Sequence, residues 1–187
     1  MRAFVAIEIP EEIHNRIAGL IQALQPAAPK VRWARAGGMH ITLKFLGEIS
    51  EQQVEEIKTQ LASVQSATPL HLQIQGAGYF PNERSPRVLW LGVQSGAALP
   101  ELASQIEKRL ATLGMAKEDR PFSAHLTLGR LQRPGKLDAL REELRKREPL
   151  ALGSFTTDEF FLYESKLSPR GSIHRRIARF QIGQSGC

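Results

Sequence analysis

The sequence predicts an α+β fold with two lobes related by a pseudo-twofold. Each lobe is expected to be a mostly antiparallel sheet with helices on its outer face, and an active-site cleft lies between them. Three observations predict this. Strand-like and helix-like segments recur in the same order twice along the 187 residues. The strands are joined by hairpin-like loops and flanked by helices, which favours antiparallel pairing. A His-x-Thr signature stands once in each half, at His40 and His125, inside strand-like segments.

Taken in order, Met1–Pro10 runs apolar and reads as a strand. Glu11–Leu24 places Ile13, Ile17, Leu20, Ile21 and Leu24 at helical spacing behind an acidic first turn. The prolines of Pro26-Ala27-Ala28-Pro29 end it. Val31–Ala34 reads as a short strand, Gly37-Gly38 as a turn and Met39–Leu46 as an alternating strand. Ser50 is the cap of a helix striped with Val54, Ile57, Leu61 and Val64. Leu70–Ile74 and Val88–Val93 are strands around a loop, Gly76–Pro86. In the second half, Leu99–Leu113 and Leu137–Arg147 are helices, and Phe122–Leu128, Ser154–Tyr163 and Arg176–Ile182 are strands. Ser165–Arg175 is a basic loop.

The halves align at an offset of 85 residues, read from His40 to His125. Phe4–Ile7 then falls on Leu89–Gly92, and near the ends Arg87–Leu91 parallels Arg176–Phe180. A repeat this long indicates two copies of one unit rather than a solenoid. Residues 1–187 are therefore expected to be one bilobal domain built by internal duplication.

Composition narrows the class. Apolar residues make up 42% and charged residues 24%, an ordinary globular balance that argues against disorder. The one cysteine, Cys187, rules out an intrachain disulfide framework and any cysteine-cluster metal site. No apolar run approaches the ~20 residues of a membrane-spanning helix. Glu8 falls where a signal peptide needs its apolar centre, so a cytoplasmic location is expected. A net charge of +6 biases partners toward phosphate and nucleic acid.

The chemistry lies in the paired motif. In a strand, side chains alternate faces, so His40 and Thr42 share one face and Ile41 and Leu43 the other. The same holds for His125 and Thr127 against Leu126 and Leu128. A lone histidine on a strand is usually a satisfied polar residue. With five His and seven Thr in the chain, two matches at equivalent places in a repeat are improbable by chance. Two imidazoles can divide general-base and general-acid work near neutral pH. Two hydroxyls between them can hold the oxygens of a phosphodiester during in-line displacement. No acidic cluster with metal spacing accompanies them, so no metal and no cofactor are expected.

These motifs resemble the 2H phosphoesterase superfamily. Within it the chain is similar to the bacterial RNA 2′,3′-cyclic phosphodiesterases, also called 2′-5′ RNA ligases. The resemblance rests on Met1–Ile7, Val31–Trp33, Met39–Gly47, Phe122–Arg130 and Leu162–Leu167 and runs through nearly the whole chain. It implies hydrolysis of RNA 2′,3′-cyclic ends, tRNA fragments among them, to 2′-phosphates, and reversible 2′-5′ joining without ATP. His40 would be the proton donor to the leaving 3′ oxygen and His125 the proton acceptor. Thr42, Thr127 and Arg130 would bind phosphate. No protein partner or membrane is implied. His174 departs from the family pattern, which has an aromatic, commonly Tyr, before the last strand.

The motifs leave two other readings open: a phosphodiesterase for a small cyclic nucleotide, and a non-catalytic RNA-binding module. His14 and His71 read as a surface and a structural residue, and Trp33 as core. Phe80 and Tyr79 fit either core packing or base stacking. Arg84, Arg87, Arg170, Arg175, Arg176 and Arg179 fit either a basic cleft rim or solvated loops.

Overall fold

In the computed structural model, which describes residues 1–65, 69–132, 137–169 and 171–183, nine strands form two antiparallel sheets backed by four helices. The strands are β1 (Arg2–Glu8), β2 (Val31–Trp33), β3 (His40–Glu48), β4 (Leu70–Phe80), β5 (Val88–Gln94), β6 (His125–Leu131), β7 (Ala151–Thr157), β8 (Glu159–Ser168) and β9 (Gly171–Gln181). The helices are α1 (Glu11–Leu24), α2 (Glu51–Ala62), α3 (Ala98–Ala111) and α4 (Asp138–Arg145). The first sheet has the order β3-β1-β8-β9 and the second β2-β6-β5-β4-β7.

The helices form where the apolar stripes are. α1 buries Ile13, Ile17, Leu20, Ile21 and Leu24, the five positions of its stripe. α2 begins at a reciprocal capping box: the Ser50 hydroxyl accepts from the Gln53 amide at 3.2 Å, and the Ser50 amide donates to Gln53 at 2.9 Å. No helix among the described residues is long and apolar enough to cross a membrane.

The lobes are not the two halves of the chain. β4, from the first half, lies beside β5 and β7 in the second sheet. β8, from the second half, lies beside β1 in the first. The helices cross as well: α1 packs against β7, and α3 packs against β3. Each sheet thus takes a central strand from the opposite half.

The repeat offset in the first strand of each half is 84 rather than 85. Glu8 pairs with His40, and Gly92 pairs with His125, so Glu8 corresponds to Gly92. The Arg87–Leu91 and Arg176–Phe180 segments both follow a hairpin, but β5 is an inner strand and β9 an edge. Their likeness is therefore not an equivalence of place.

Three segments differ in kind from expectation, and β6 is shifted, running over His125–Leu131 where Phe122–Leu128 was expected. β4 continues through Gly76–Phe80, because a bulge between Ile74 and Ala77 carries the pairing past Gly76, whose φ of +74° only glycine adopts easily. At Gly78 a Cβ would fall within the Trp90 ring, so glycine lets the indole lie across β4. The single strand expected over Ser154–Tyr163 is two, β7 and β8, broken at Asp158 and belonging to different sheets. Phe160–Tyr163 is buried on both faces, a pattern that carries no alternation to mark the break. The basic Ser165–Arg175 segment is mostly a hairpin, with strand pairing up to Ser168 and Gly171.

Candidate active site

Bulges set the face on which each site residue lies. On β3, Ala6 pairs with Thr42 but Val5 pairs with Lys44, so one extra residue, Leu43, is absorbed. On β6, Trp90 pairs with Thr127 but Leu89 pairs with Gly129, which absorbs Leu128. Directly paired residues of antiparallel strands share a face. His40, Thr42 and Phe45 therefore share one face of the first sheet, and His125, Thr127 and Arg130 share one face of the second. Strict alternation would have sent Arg130 to the back. Lys44 does go to the back, where it is buried and its Nζ meets both Glu107 carboxylate oxygens at 2.8 and 2.7 Å and the Ala116 carbonyl at 2.8 Å.

The two motif strands pack against each other. After β2 the chain is still tied to β6, since the Ala34 amide donates to the Leu128 carbonyl at 2.8 Å. A short 3₁₀ turn, Ala36–Gly38, then delivers His40 to the start of β3. This sets the start of β3, which carries His40 and Thr42, against β6, which carries His125 and Thr127.

Both imidazoles are held in the same way. His40 Nδ1 lies 3.0 Å from the Gly38 carbonyl, and His125 Nδ1 lies 2.8 Å from the Ser123 carbonyl. A carbonyl only accepts, so Nδ1 carries the proton in each ring and Nε2 of the neutral ring keeps its lone pair. Each anchor is the carbonyl two residues upstream, a contact that the strand start itself supplies. The Thr42 and Thr127 hydroxyls have no hydrogen-bond partner among the described residues.

His40 stands in an aromatic setting. Its ring centroid is 4.5 Å from Tyr163, 5.3 Å from His174 and 6.0 Å from Phe4. Burial and, after it, the charge of His174 lower its pKa to about 4, while the Gly38 carbonyl and Glu8 pull the other way. Burial lowers His174 as well. A pocket of about 370 Å³ opens beside His40, lined among others by Glu8, Tyr163, Ser172, His174 and Arg176; His125 is not part of it. Glu8 and Arg176 form an ion pair at 2.7 Å on its wall. His125 instead packs edge-on against Phe80, 5.1 Å between centroids, with Trp90 at 6.5 Å.

Among the described residues, no group of three or more His, Cys, Asp or Glu side chains could hold a metal ion. His14 is half-buried and ties α1 to the residue that precedes β3, its Nε2 lying 3.2 Å from the Met39 carbonyl. His71 meets the Thr156 hydroxyl at 3.0 Å across β4 and β7, a structural contact. Trp33 packs against the core. Of the loop arginines, Arg175, Arg176 and Arg179 lie in β9 and are paired with Glu164, Glu8 and Glu159. Arg84 and Arg87 are exposed, and Arg170 lies outside the described residues. Alternation did not reveal Phe45, which is 71% exposed on the site face and corresponds on β3 to Arg130 on β6.

This arrangement defines a class of protein that comparison identifies. The model of the LigT-like phosphoesterases matches the chain twice in succession, over residues 7–90 and 91–174, an offset of 84. The chain belongs to the LigT-like phosphoesterase family. A relative in Archaeoglobus fulgidus, named RNA 2′,3′-cyclic phosphodiesterase, is 33% identical over 97% of this chain and 100% of its own length. One of the same name in Thermotoga maritima is 33% identical over 97% and 96%. A solved Thermus thermophilus protein superposes with a TM-score of 0.81 at 25% identity, covering 97% of this chain and 98% of its own. E. coli LigT complexed with 3′-AMP superposes with a TM-score of 0.78 at 27% identity, covering 98% of each chain.

Proposed function

We propose that this protein hydrolyses RNA ends that carry a 2′,3′-cyclic phosphate, leaving a 2′-phosphate, and that it does so with two histidines and no metal. The observation that carries the reading is the repeated anchoring of His40 and His125, each held through Nδ1 by the carbonyl two residues upstream, which leaves both Nε2 atoms available for proton transfer. The activity for which the relatives are named supports the substrate class.

In this reading a water attacks phosphorus in line with the 3′ oxygen. His125 Nε2 takes the water's proton as the new P–O bond forms. The P–O3′ bond breaks, and His40 donates a proton to O3′. Thr42 and Thr127 donate their unpartnered hydroxyls to the non-bridging oxygens, and Arg130 offsets their charge. His40 is neutral near pH 7 in the free enzyme, given its lowered pKa. A bound phosphate anion favours the charged imidazolium, so substrate and proton arrive together. Exposed Phe45 offers a face on which the terminal base stacks. The succession of two family matches supports a single bilobal unit over 1–187 made by duplication.

The test is a short RNA ending in a 2′,3′-cyclic phosphate, incubated with enzyme in EDTA and mapped for the position of the product phosphate. A 2′-phosphate formed at the rate seen without chelator supports the reading. A 3′-phosphate overturns the leaving-group assignment. Activity lost to EDTA and restored by a divalent ion overturns the metal-free mechanism.

A further inference from the structure

Arg32 on β2 pairs directly with Arg130 on β6, so the two side chains leave the same face of the second sheet side by side. That face also carries His125 and Thr127, because Val88, Trp90 and Gly92 pair with Arg130, Thr127 and His125. Both arginines are exposed. Among the described residues neither guanidinium has an ion pair or a hydrogen bond. The three arginines of β9 behave otherwise, each neutralised by a carboxylate. Like charges directly opposite across a strand pair are destabilising. An unneutralised pair beside a phosphate site is the arrangement that a polyanion relieves.

In the proposed reading Arg130 takes the scissile phosphate, which leaves Arg32 without an anion. Arg130 is the nearer along β6 to Thr127, and Arg32 lies one strand further out, on the edge of the sheet. A strand spacing of about 4.8 Å separates them. We propose that Arg32 binds a second phosphate, the phosphodiester preceding the terminal nucleotide, and so makes the enzyme prefer an RNA chain over a mononucleoside 2′,3′-cyclic phosphate. This inference rests on the proposed cyclic phosphodiesterase reading. It adds a direction to it: the RNA leaves the cleft across β6 and over β2. The side chain acts by charge and by its fork of donors, so lysine should replace it in part and glutamine should not.

The test compares wild type, R32Q, R32K and a charge control on the exposed face of α3, R109Q. Each is assayed on a mononucleoside 2′,3′-cyclic phosphate and on a short RNA with the same end. R32Q is expected to lower kcat/KM for the RNA by about tenfold or more, chiefly through KM, and to do so far more than for the mononucleoside. The dependence of log KM on log salt for the RNA should flatten by about 0.7, the share of one phosphate contact in a single strand. R32K should recover part of the loss, and R109Q should leave the ratio of the two substrates as in wild type. An equal loss on both substrates, or none on either, overturns the second-phosphate site. Fluorescence anisotropy with a short RNA ending in a 3′-phosphate separates the two readings. If wild type cleaves neither substrate but binds RNA with an Arg32-dependent salt slope, the catalytic reading falls and the second site stands. If R32Q binds with the wild-type slope, the second site falls whatever the enzyme cleaves.

Discussion

The rings of His40 and His174 lie 5.3 Å apart, centroid to centroid, on one wall of the pocket that opens beside the first motif. Phe4 touches both, at 6.0 Å from His40 and 4.9 Å from His174. Two imidazoles this close in a half-buried aromatic setting resist carrying charge together. Burial is the larger cause of the lowered His40 pKa of about 4, and the charge of His174 is the second.

The pH dependence follows with a definite sign. A proton donor must be protonated, so activity limited by His40 in the free enzyme falls as pH rises through its lowered pKa. The alkaline limb of kcat/KM should therefore lie below that of kcat, where bound phosphate raises His40. Replacing His174 by Gln removes the second cause of the lowering and leaves burial, so the alkaline limb of kcat/KM should move to higher pH. Stability runs the other way. The fold favours neutral His40, so its contribution is fully present above the unfolded pKa of about 6.5 and is lost as pH falls toward 4. Melting curves from pH 7 to 4 should fall less steeply for H174Q. Unmoved limbs would show that the His174 charge does not reach His40.

The pairing of His40 with His125 makes a separate prediction. Each replaced by Ala should cost about 10²–10⁴-fold in rate. In the proposed mechanism both protons move in one concerted displacement, so the double variant should cost less than the product of the two. Steady-state rates on a cyclic-phosphate RNA decide it. Near-normal activity in either single variant removes that residue from the mechanism.

Lys44 is the third place where a single change has a defined consequence. Its side chain is 3% exposed, and Glu107 beside it is 26% exposed. Glu107 also accepts the Glu118 amide at 3.2 Å, so the pair holds α3 and the segment after it to the back of β3. K44M leaves a carboxylate without its cation and should destabilise by roughly 3 kcal/mol. At about 2–4 °C per kcal/mol for a chain of this size, the melting point should drop by about 6–12 °C. K44M/E107L removes both charges and should recover part of the drop. A melting point within about 2 °C of wild type for K44M would show that the pair contributes little.

Much of this site is legible in the residues because it is built locally. The Glu11–Leu24 helix is bounded as its apolar stripe and the following proline dictate, and Ser50 caps the next helix as its hydroxyl requires. His40 and Thr42 share a face because strands alternate. What alternation misses are the two bulges. They put Phe45 on the face of His40 and Thr42 and Arg130 on the face of His125 and Thr127, and bury Lys44, which period-two spacing would have set beside Thr42. Bulges depend on how two strands register, which no single strand records. The exchange of β4 and β8 between sheets is illegible for the same reason, since a strand's sequence shows that it is buried, not beside which neighbour. His174 meets His40 only because β9 folds back along β8, so no local spacing links them.

Joining of RNA ends tests the same apparatus with another nucleophile. Microscopic reversibility lets any hydroxyl that fits the water's place attack the cyclic phosphate. With an RNA 5′-hydroxyl there, the proposed mechanism has His125 take its proton, the P–O3′ bond break and His40 protonate O3′. The phosphorus keeps its bond to the 2′ oxygen, so the new junction is 2′-5′. Opening the ring supplies the driving force, and the chain has no Gly-x-x-x-x-Gly-Lys-Ser/Thr loop, so no ATP is called for. Water is far more concentrated than RNA ends, so hydrolysis should dominate and joining should be a minor, reversible product. Mixing a cyclic-phosphate end with a 5′-hydroxyl end, without ATP, should give a small joined fraction that resists 3′-5′-specific nucleases. The same mixture with the His125→Ala variant should give none. A 3′-5′ junction, or joining that appears only with ATP, would show that bond breaking does not follow the order assigned to His40 and His125.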